Sequence, residues 1–158
     1  MKEAAFNISD FSLPRWNDLP EISLYSDQLI TWINNTLEPI SIGDSPLTKS
    51  MVNNYVKHGL VKPPVNKQYS RVHLAKLLVV CVLKSVFSME QIGRYVFFAV
   101  EDSTIPATYD FFAEMLEKSI DDIFNKKVPD IKKDTDKEYL NRSIILACAY
   151  KIYVEKTS

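Results

Sequence analysis

The chain has 158 residues, of which 46% are apolar and 25% are charged, and its formal net charge is −1. These values are ordinary for a globular protein, and the length suits one domain with a sizeable core or one domain with a helical extension. The longest apolar runs, residues 77–83 and 144–150, are much shorter than the roughly 20 residues needed to cross a bilayer. The sequence therefore excludes a membrane span.

Proline is common and glycine is scarce, with eight and three residues respectively. Few positions can adopt a positive φ, whereas many can stop a helix, which predicts a mostly α fold whose helices end abruptly. Cys81 and Cys148 both lie in apolar runs, and the N-terminus shows no secretory signal. We therefore expect reduced, buried thiols in a cytoplasmic protein.

The chain is predicted to begin with an arm and a long helix. Residues 1–20 have no sustained periodicity and are expected to lie over the core. The apolar residues that would anchor this arm are Phe6, Phe11, Leu13 and Trp16. A helix is predicted at 24–37, with Pro39 as its stop, and either Glu21 or Ser26 can start it. Its apolar side consists of Leu24, Leu29, Ile30, Ile33 and Leu37.

A shorter helix is predicted at 49–58. Thr48 is a favourable N-cap, and Gly59 can close the helix in a left-handed conformation. Val52, Tyr55 and Val56 share its apolar face. The other sides of this helix carry only polar groups, which are Lys49, Ser50, Asn53, Asn54 and Lys57.

Beyond this helix the chain is predicted to make a short excursion and return. The proline pair at 63–64 cannot continue a helix, so residues 61–67 are expected to form an extended loop or a small hairpin. Tyr69 brings the chain back, and Ser70 can cap a helix predicted at 71–87. The buried stripe of that helix would consist of Leu74, Leu77, Leu78, Cys81 and Val82.

Three more helices are predicted in the C-terminal half. Ser88 and Gln91 form a capping-box signature for a helix that ends near residue 100. An amphipathic helix with an acidic polar side is expected at 104–126, and the last helix at 136–155. A polar linker at 127–138 leads into the last helix.

The middle of the chain is basic. No Asp or Glu occurs between Ser45 and Met89, although this segment has seven basic residues. They are Lys49, Lys57, Lys62, Lys67, Arg71, Lys76 and Lys84. Since the whole chain has a net charge of −1, the remainder carries −8. This asymmetry predicts a polyanionic partner, and a solvated basic face is the alternative.

Residues 55–64 (YVKHGLVKPP) and 69–92 (YSRVHLAKLLVVCVLKSVFSMEQI) resemble the core of the MerR-type winged-helix regulators. The shared order is a recognition helix, a glycine–leucine exit, a proline pair, an aromatic wing return and two packed helices. The chain is also similar to a family of bacterial proteins that share a domain of unknown function and are thought to be MerR-like. The resemblance covers residues 47–96.

The resemblance implies a mostly α fold with a MerR-like winged helix-turn-helix at 21–100, preceded by the arm (1–20) and followed by a C-terminal helical extension (101–158). It makes the helix at 49–58 the recognition helix and residues 61–69 a short wing on double-stranded DNA. The residues placed at the DNA are Lys49, Ser50, Asn53, Asn54, Lys57, His58, Lys62, Asn66, Lys67 and Arg71. MerR-type proteins usually have Arg and Tyr where this chain has Asn53 and Asn54, so the operator sequence does not carry over.

The sequence shows no motif for catalysis. Phosphate loops, Walker motifs, nucleophile elbows and metal-ligand spacings are missing, so no enzyme activity, cofactor or metal is expected. His58 and His73 are each expected to make a polar contact beside the wing or a helix cap. Two function classes follow. The first is a sequence-specific transcriptional regulator, and the alternative is a MerR-like helical module that binds a protein or small ligand through its aromatic C-terminal half without binding DNA.

The last helix predicts a homodimer. Twelve of the sixteen residues from Tyr139 to Val154 are apolar. A helix that is apolar nearly all round must be covered on more than one side. The helix at 104–126 can cover one side, and a second subunit would cover the other. The alternative is that this helix is the central helix of a monomeric core.

Overall fold

The computed structural model describes residues 11–41, 47–129 and 135–158. Over these residues the protein is mostly helical, as the composition predicts, with six α-helices and one two-stranded sheet. The helices are α1 (Ser26–Leu37), α2 (Lys49–Lys57), α3 (Arg71–Leu83), α4 (Met89–Ala99), α5 (Ile105–Phe124) and α6 (Asp136–Thr157). The strands are β1 (Leu24–Tyr25) and β2 (Gln68–Tyr69), and 3-10 turns occur at Trp16–Asp18 and Glu38–Ile40.

α3 is the central helix. Nine of its thirteen residues are buried, including the whole predicted stripe. α1 and α5 both pack against it, so burial extends around most of its circumference. The helix ends at Leu83 instead of the predicted Phe87, because the amides of Val86 and Phe87 both donate to the Leu83 carbonyl in a tight turn before α4.

The predicted helix caps are confirmed. The Thr48 hydroxyl accepts a hydrogen bond of 3.2 Å from the Met51 amide at the start of α2. At the start of α4, the Gln91 amide donates to the Ser88 hydroxyl (3.2 Å) and the Ser88 amide donates to Gln91 Oε1 (2.9 Å). These contacts satisfy amides that have no partner within the helix, which is why the caps could be predicted from local sequence.

The first helix begins at Ser26, one of its two candidate starts, and the predicted bound at residue 24 is wrong. Leu24 and Tyr25 are extended and pair antiparallel with Tyr69 and Gln68, so α1 begins at Ser26. Its apolar side is otherwise as expected, with Leu29, Ile33 and Leu37 buried. The strand is too short to produce a period-two pattern, and its partner lies more than forty residues away in the chain.

The described part of the N-terminal arm, residues 11–20, lies over the core as predicted, and α5 holds it there. Leu13 is buried, and its amide donates a hydrogen bond of 2.7 Å to Glu117 Oε1. The Arg15 guanidinium donates two hydrogen bonds to the same carboxylate, at 3.1 and 2.9 Å. The Trp16 amide donates to Asp110 Oδ1 at 2.7 Å. Part of the acidic side of α5 therefore fixes the arm, whereas Phe6 lies outside the described residues.

One hydrophobic cluster contains buried residues of the arm and of all six helices. The arm, the region at 21–100 and the C-terminal extension thus contribute to one core. Cys81 and Cys148 are free thiols inside it, as expected. Burial raises the pKa of Cys81 to about 11 and that of Cys148 to about 12.

α6 lies at the surface of this core. It buries only Ile145, Cys148, Ala149 and Ile152. Within the single chain α6 is therefore not the central helix, because α3 has that place. Among the helices that the structure describes, none is both long and apolar enough to cross a membrane. Residues 130–134 of the predicted linker lie outside the described part of the chain.

Candidate nucleic-acid interface

The start of α2 is fixed to α1 by a pair of hydrogen bonds. The Leu47 amide donates to Asn34 Oδ1, and Asn34 Nδ2 donates to the Leu47 carbonyl, both at 3.0 Å. Leu47 is also buried in the core. Asn34 therefore sets where the chain enters α2. Sequence reasoning missed this residue, because a single polar residue in a helix does not reveal a partner outside that helix.

α2 is divided into a buried and an exposed side, as predicted. Val52 and Tyr55 are buried. The predicted polar side is exposed along its whole length, at Lys49, Ser50, Asn53, Asn54 and Lys57. Asn53 has no hydrogen-bond partner among the described residues, whereas Asn54 Nδ2 lies 3.6 Å from Met89 Sδ at the start of α4. The amide group of Asn53 is therefore the one most available to a ligand.

Gly59 ends α2 in a left-handed conformation, with φ at +75°. The Gly59 amide donates to the Val56 carbonyl at 3.1 Å and the Leu60 amide donates to the Tyr55 carbonyl at 3.0 Å. This is the Schellman pattern of helix termination, and the burial of Leu60 completes it. The exit fixes the direction in which the chain leaves α2. His58 also contributes, because its Nδ1 lies 2.9 Å from the Asn54 carbonyl oxygen.

The predicted excursion ends in a two-residue hairpin. Val65 and Gln68 exchange both backbone hydrogen bonds, at 3.0 and 2.9 Å. Asn66 and Lys67 form the tip, with φ angles of 51° and 61°, and both side chains are exposed. Positive φ at both central residues is the geometry of a type I′ turn. Asn tolerates this conformation well, but Lys does not, so the tip holds a cation at some cost in backbone strain.

The hairpin is attached to the rest of the fold from two sides. β2 continues the hairpin and pairs with β1, which leads directly into α1. On the other side His73 of α3 holds the loop, because its Nε2 lies 3.0 Å from the Lys62 carbonyl oxygen and 3.2 Å from that of Pro63. Its Nδ1 accepts a hydrogen bond of 2.9 Å from the Ser70 amide. This network assigns the proton of the neutral imidazole to Nε2. His73 thus makes the polar contact beside the wing and cap that the sequence predicts.

Arg71 makes its contacts within the fold. Its guanidinium carbon lies 5.6 Å above the Trp16 ring, and Nη2 donates to the Leu19 carbonyl at 3.3 Å. Nη2 also lies 3.6 Å from a carboxylate oxygen of Glu21. Arg71 therefore ties the base of the hairpin to the N-terminal segment. The sequence places Arg71 at the DNA because it is basic and follows the loop. Its partners within the fold lie about fifty residues earlier in the chain, where local sequence does not reveal them.

The seven cations of the acid-free segment fall into two groups. Lys49, Lys57, Lys62 and Lys67 are exposed, and none of them has an ion-pair partner within the described ranges. The other three are partly buried. Burial lowers the pKa of Lys76, as does the positive charge of Lys62, and burial also lowers the pKa of Lys84. The surface of α2 and the hairpin therefore presents four free lysines without a carboxylate from the same segment.

The structure thus defines a mostly helical protein with a basic surface on one short helix and the hairpin that follows it. A family model described as "Domain of unknown function (DUF1836)" matches residues 14–112, more than half of the chain, and the protein belongs to this family. The match includes α1–α4, the hairpin and the first part of α5. Neither the curated proteins nor the solved structures contain a match to this chain.

Proposed function

We propose that the protein is a sequence-specific transcriptional regulator that binds double-stranded DNA through a winged helix-turn-helix of the MerR type. α1 and α2 would form the helix-turn-helix, with α2 as the recognition helix and the hairpin at 65–68 as the wing. The main support is the way these parts are joined. The β1–β2 pairing fixes the hairpin to the start of α1, and Asn34 fixes the end of the connection from α1 to α2.

The exposed side chains suit two kinds of DNA contact. The lysines can neutralise phosphates without distinguishing sequence, and Lys67 at the hairpin tip would lie along the backbone. An Asn side chain can donate and accept two hydrogen bonds at the edge of adenine in the major groove. Asn53 and Asn54 would therefore read bases, with Asn53 the better placed because its amide is free.

The proposed regulator acts as a homodimer. On α6, Leu140, Ser143, Ala147, Tyr150 and Val154 follow one another at alternating spacings of three and four residues. This is the repeat of a coiled-coil seam. Leu140, Tyr150 and Val154 are 48, 48 and 54% exposed, and no position of the seam is charged. Pairing two copies through this face would place two recognition helices on an inverted-repeat operator.

Selection of binding sites from random DNA duplexes tests the proposal. The purified protein should enrich one motif, and Asn53→Ala should relax the preference at one position of each half-site. Lys118→Ala is the matched control, because Lys118 is an exposed cation on α5, outside the proposed interface. Selection without any enriched motif would overturn the proposal, as would equal effects of the two substitutions.

A further inference from the structure

A cavity of about 390 Å³ lies beneath α2, between α3, α6 and the turn that follows α1. Ile40 and Ile152 contribute apolar surface, and Met51 contributes the side chain of α2. Its volume falls in the range of roughly 300–1,000 Å³ that small-molecule sites occupy. The cavity is distinct from the exposed lysines of the candidate interface.

Two ammonium groups provide the charge of this cavity. Lys84 and Lys151 both line it, together with the hydroxyl-bearing side chain of Ser85, and no carboxylate lines it within the described ranges. Lys151 is paired with Glu155 at 2.9 Å, as an ion pair on the surface of α6. Lys84 has no such pair among the described residues, and its Nζ donates a long hydrogen bond of 3.9 Å to Met51 Sδ.

Lys84 is therefore a partly buried cation with no counter-charge among the described residues. Its position at the C-terminal end of α3 is favourable for a positive charge, since the helix dipole is negative there. The dipole does not replace the lost hydration, however, and burial lowers the pKa of this group. An anion inside the cavity would supply the missing partner, and the apolar walls would cover a hydrocarbon body.

We propose that this cavity binds a small organic anion with an apolar body, such as a medium-chain carboxylate, whose charged group accepts hydrogen bonds from Lys84. The Lys151 ammonium group can give a further hydrogen bond to the same group, whereas the Ser85 hydroxyl already donates to the Val82 carbonyl. Ile40, Met51 and Ile152 contact the hydrocarbon part. The seven-carbon tail of octanoate is a suitable probe of this chemistry.

Binding in this cavity would also reach α2, because Met51 belongs to that helix. A ligand that contacts Met51 and α6 together changes the packing beneath the exposed side of α2. In this way the anion would act as an effector of DNA binding. The effect on DNA binding rests on the proposed function. Binding of the anion to the DNA-free protein does not, so an experiment can contradict either claim without the other.

Isothermal titration calorimetry of the DNA-free protein with octanoate, octan-1-ol and n-octylammonium tests the site. Octanoate should bind with one site per chain, and octanol and octylammonium should bind at least about tenfold more weakly, because a charge-assisted hydrogen bond is lost or replaced by repulsion. The Met51 methyl resonance should shift on addition of octanoate. Undetectable octanoate binding at millimolar concentration, or equal binding of octanol, would overturn the proposal without requiring any variant.

Three substitutions then test whether the Lys84 ammonium group binds the carboxylate of octanoate. Lys84→Met keeps an unbranched side chain without the ammonium group and should weaken octanoate roughly tenfold while leaving octanol unchanged. Lys84→Arg should restore most of the octanoate affinity. Lys57→Met is the control, because it removes a lysine of α2 that does not line the cavity. Octanoate binding that survives Lys84→Met, or that falls equally with Lys57→Met, would contradict the site.

Discussion

Asn34 and Leu47 exchange two hydrogen bonds of 3.0 Å although thirteen positions separate them in the chain. One side-chain amide thus satisfies both the N–H and the C=O of a residue just before α2. Leu47 is 1% exposed, so water cannot replace these bonds. The Asn34 side chain therefore contributes directly to the position of α2 against α1.

We expect Asn34→Ala to destabilise the protein by about 2 to 4 kcal/mol, since it leaves a buried donor and a buried acceptor without this partner. Urea unfolding followed by circular dichroism measures the change. Asn53→Ala is the control and should stay within about 0.5 kcal/mol, because Asn53 is exposed. Equal stability of the two variants would show that the pair does not hold α2.

DNA affinity should depend strongly on salt. If the four free lysines each neutralise one phosphate, the slope of log K against log salt should be about −3.6 per subunit on its half-site, at roughly 0.9 per phosphate. Lys67→Ala should make this slope shallower by about 0.9 per subunit, whereas Lys118→Ala should leave it unchanged. Fluorescence anisotropy with a labelled duplex at several salt concentrations gives the slope. A response to salt that is flat in the native protein would contradict phosphate binding by this surface.

The asparagines of α2 should determine the base preference, whereas the lysines should contribute affinity that does not depend on sequence. Asn53→Ala should cost about 1 to 3 kcal/mol on the preferred duplex and little on duplexes with the corresponding base pair changed. Asn54→Ala should have the smaller effect, because its amide already contacts Met89. Competition assays with single-base variants of the selected motif measure both. If both variants keep the native base preference, α2 is not the recognition helix.

Lys67→Gly should change stability and DNA affinity in opposite directions. Glycine adopts a positive φ without steric cost, so the free energy of unfolding should rise by up to about 1 kcal/mol. Loss of the charge should weaken DNA binding as Lys67→Ala does. Thermal melts of the variant measure the change in stability, and fluorescence anisotropy on the same preparation measures the change in DNA affinity. Lys62→Gly is the comparison, since Lys62 is exposed without a positive φ and should gain no stability.

A charge in the α6 seam should dissociate the proposed dimer without unfolding the subunit. Tyr150→Glu and Val154→Glu are suitable, because both side chains are about half exposed in the single chain. Ile145→Glu is not, since Ile145 is fully buried and the carboxylate would disrupt the core. Light scattering at micromolar concentration should show two chains for the native protein and one for the variants. A native mass of one chain would rule out the dimer.

Local patterns allowed most of the helices to be predicted, because a cap, a glycine stop or an apolar stripe depends on neighbours within a few residues. Ser88 with Gln91 and Thr48 with Gly59 are examples. The errors concern distant partners. The strand at Leu24–Tyr25 exists because of residues 68–69, and Arg71 turns inward because Trp16 and Leu19 reach it from the arm. Such partners have no local signature, and the role of Asn34 was missed for the same reason.

The Glu117 carboxylate accepts hydrogen bonds from Leu13 and Arg15. Glu117 lies beyond Phe112, where the family match ends. The matched region is therefore shorter than the part of the chain that contributes to the hydrophobic core. A fragment cut at that boundary would keep the arm but lose its anchor, along with Leu116 and Ile120 of the core. The part of the chain that follows the matched region therefore supplies the contacts that hold the arm on the core.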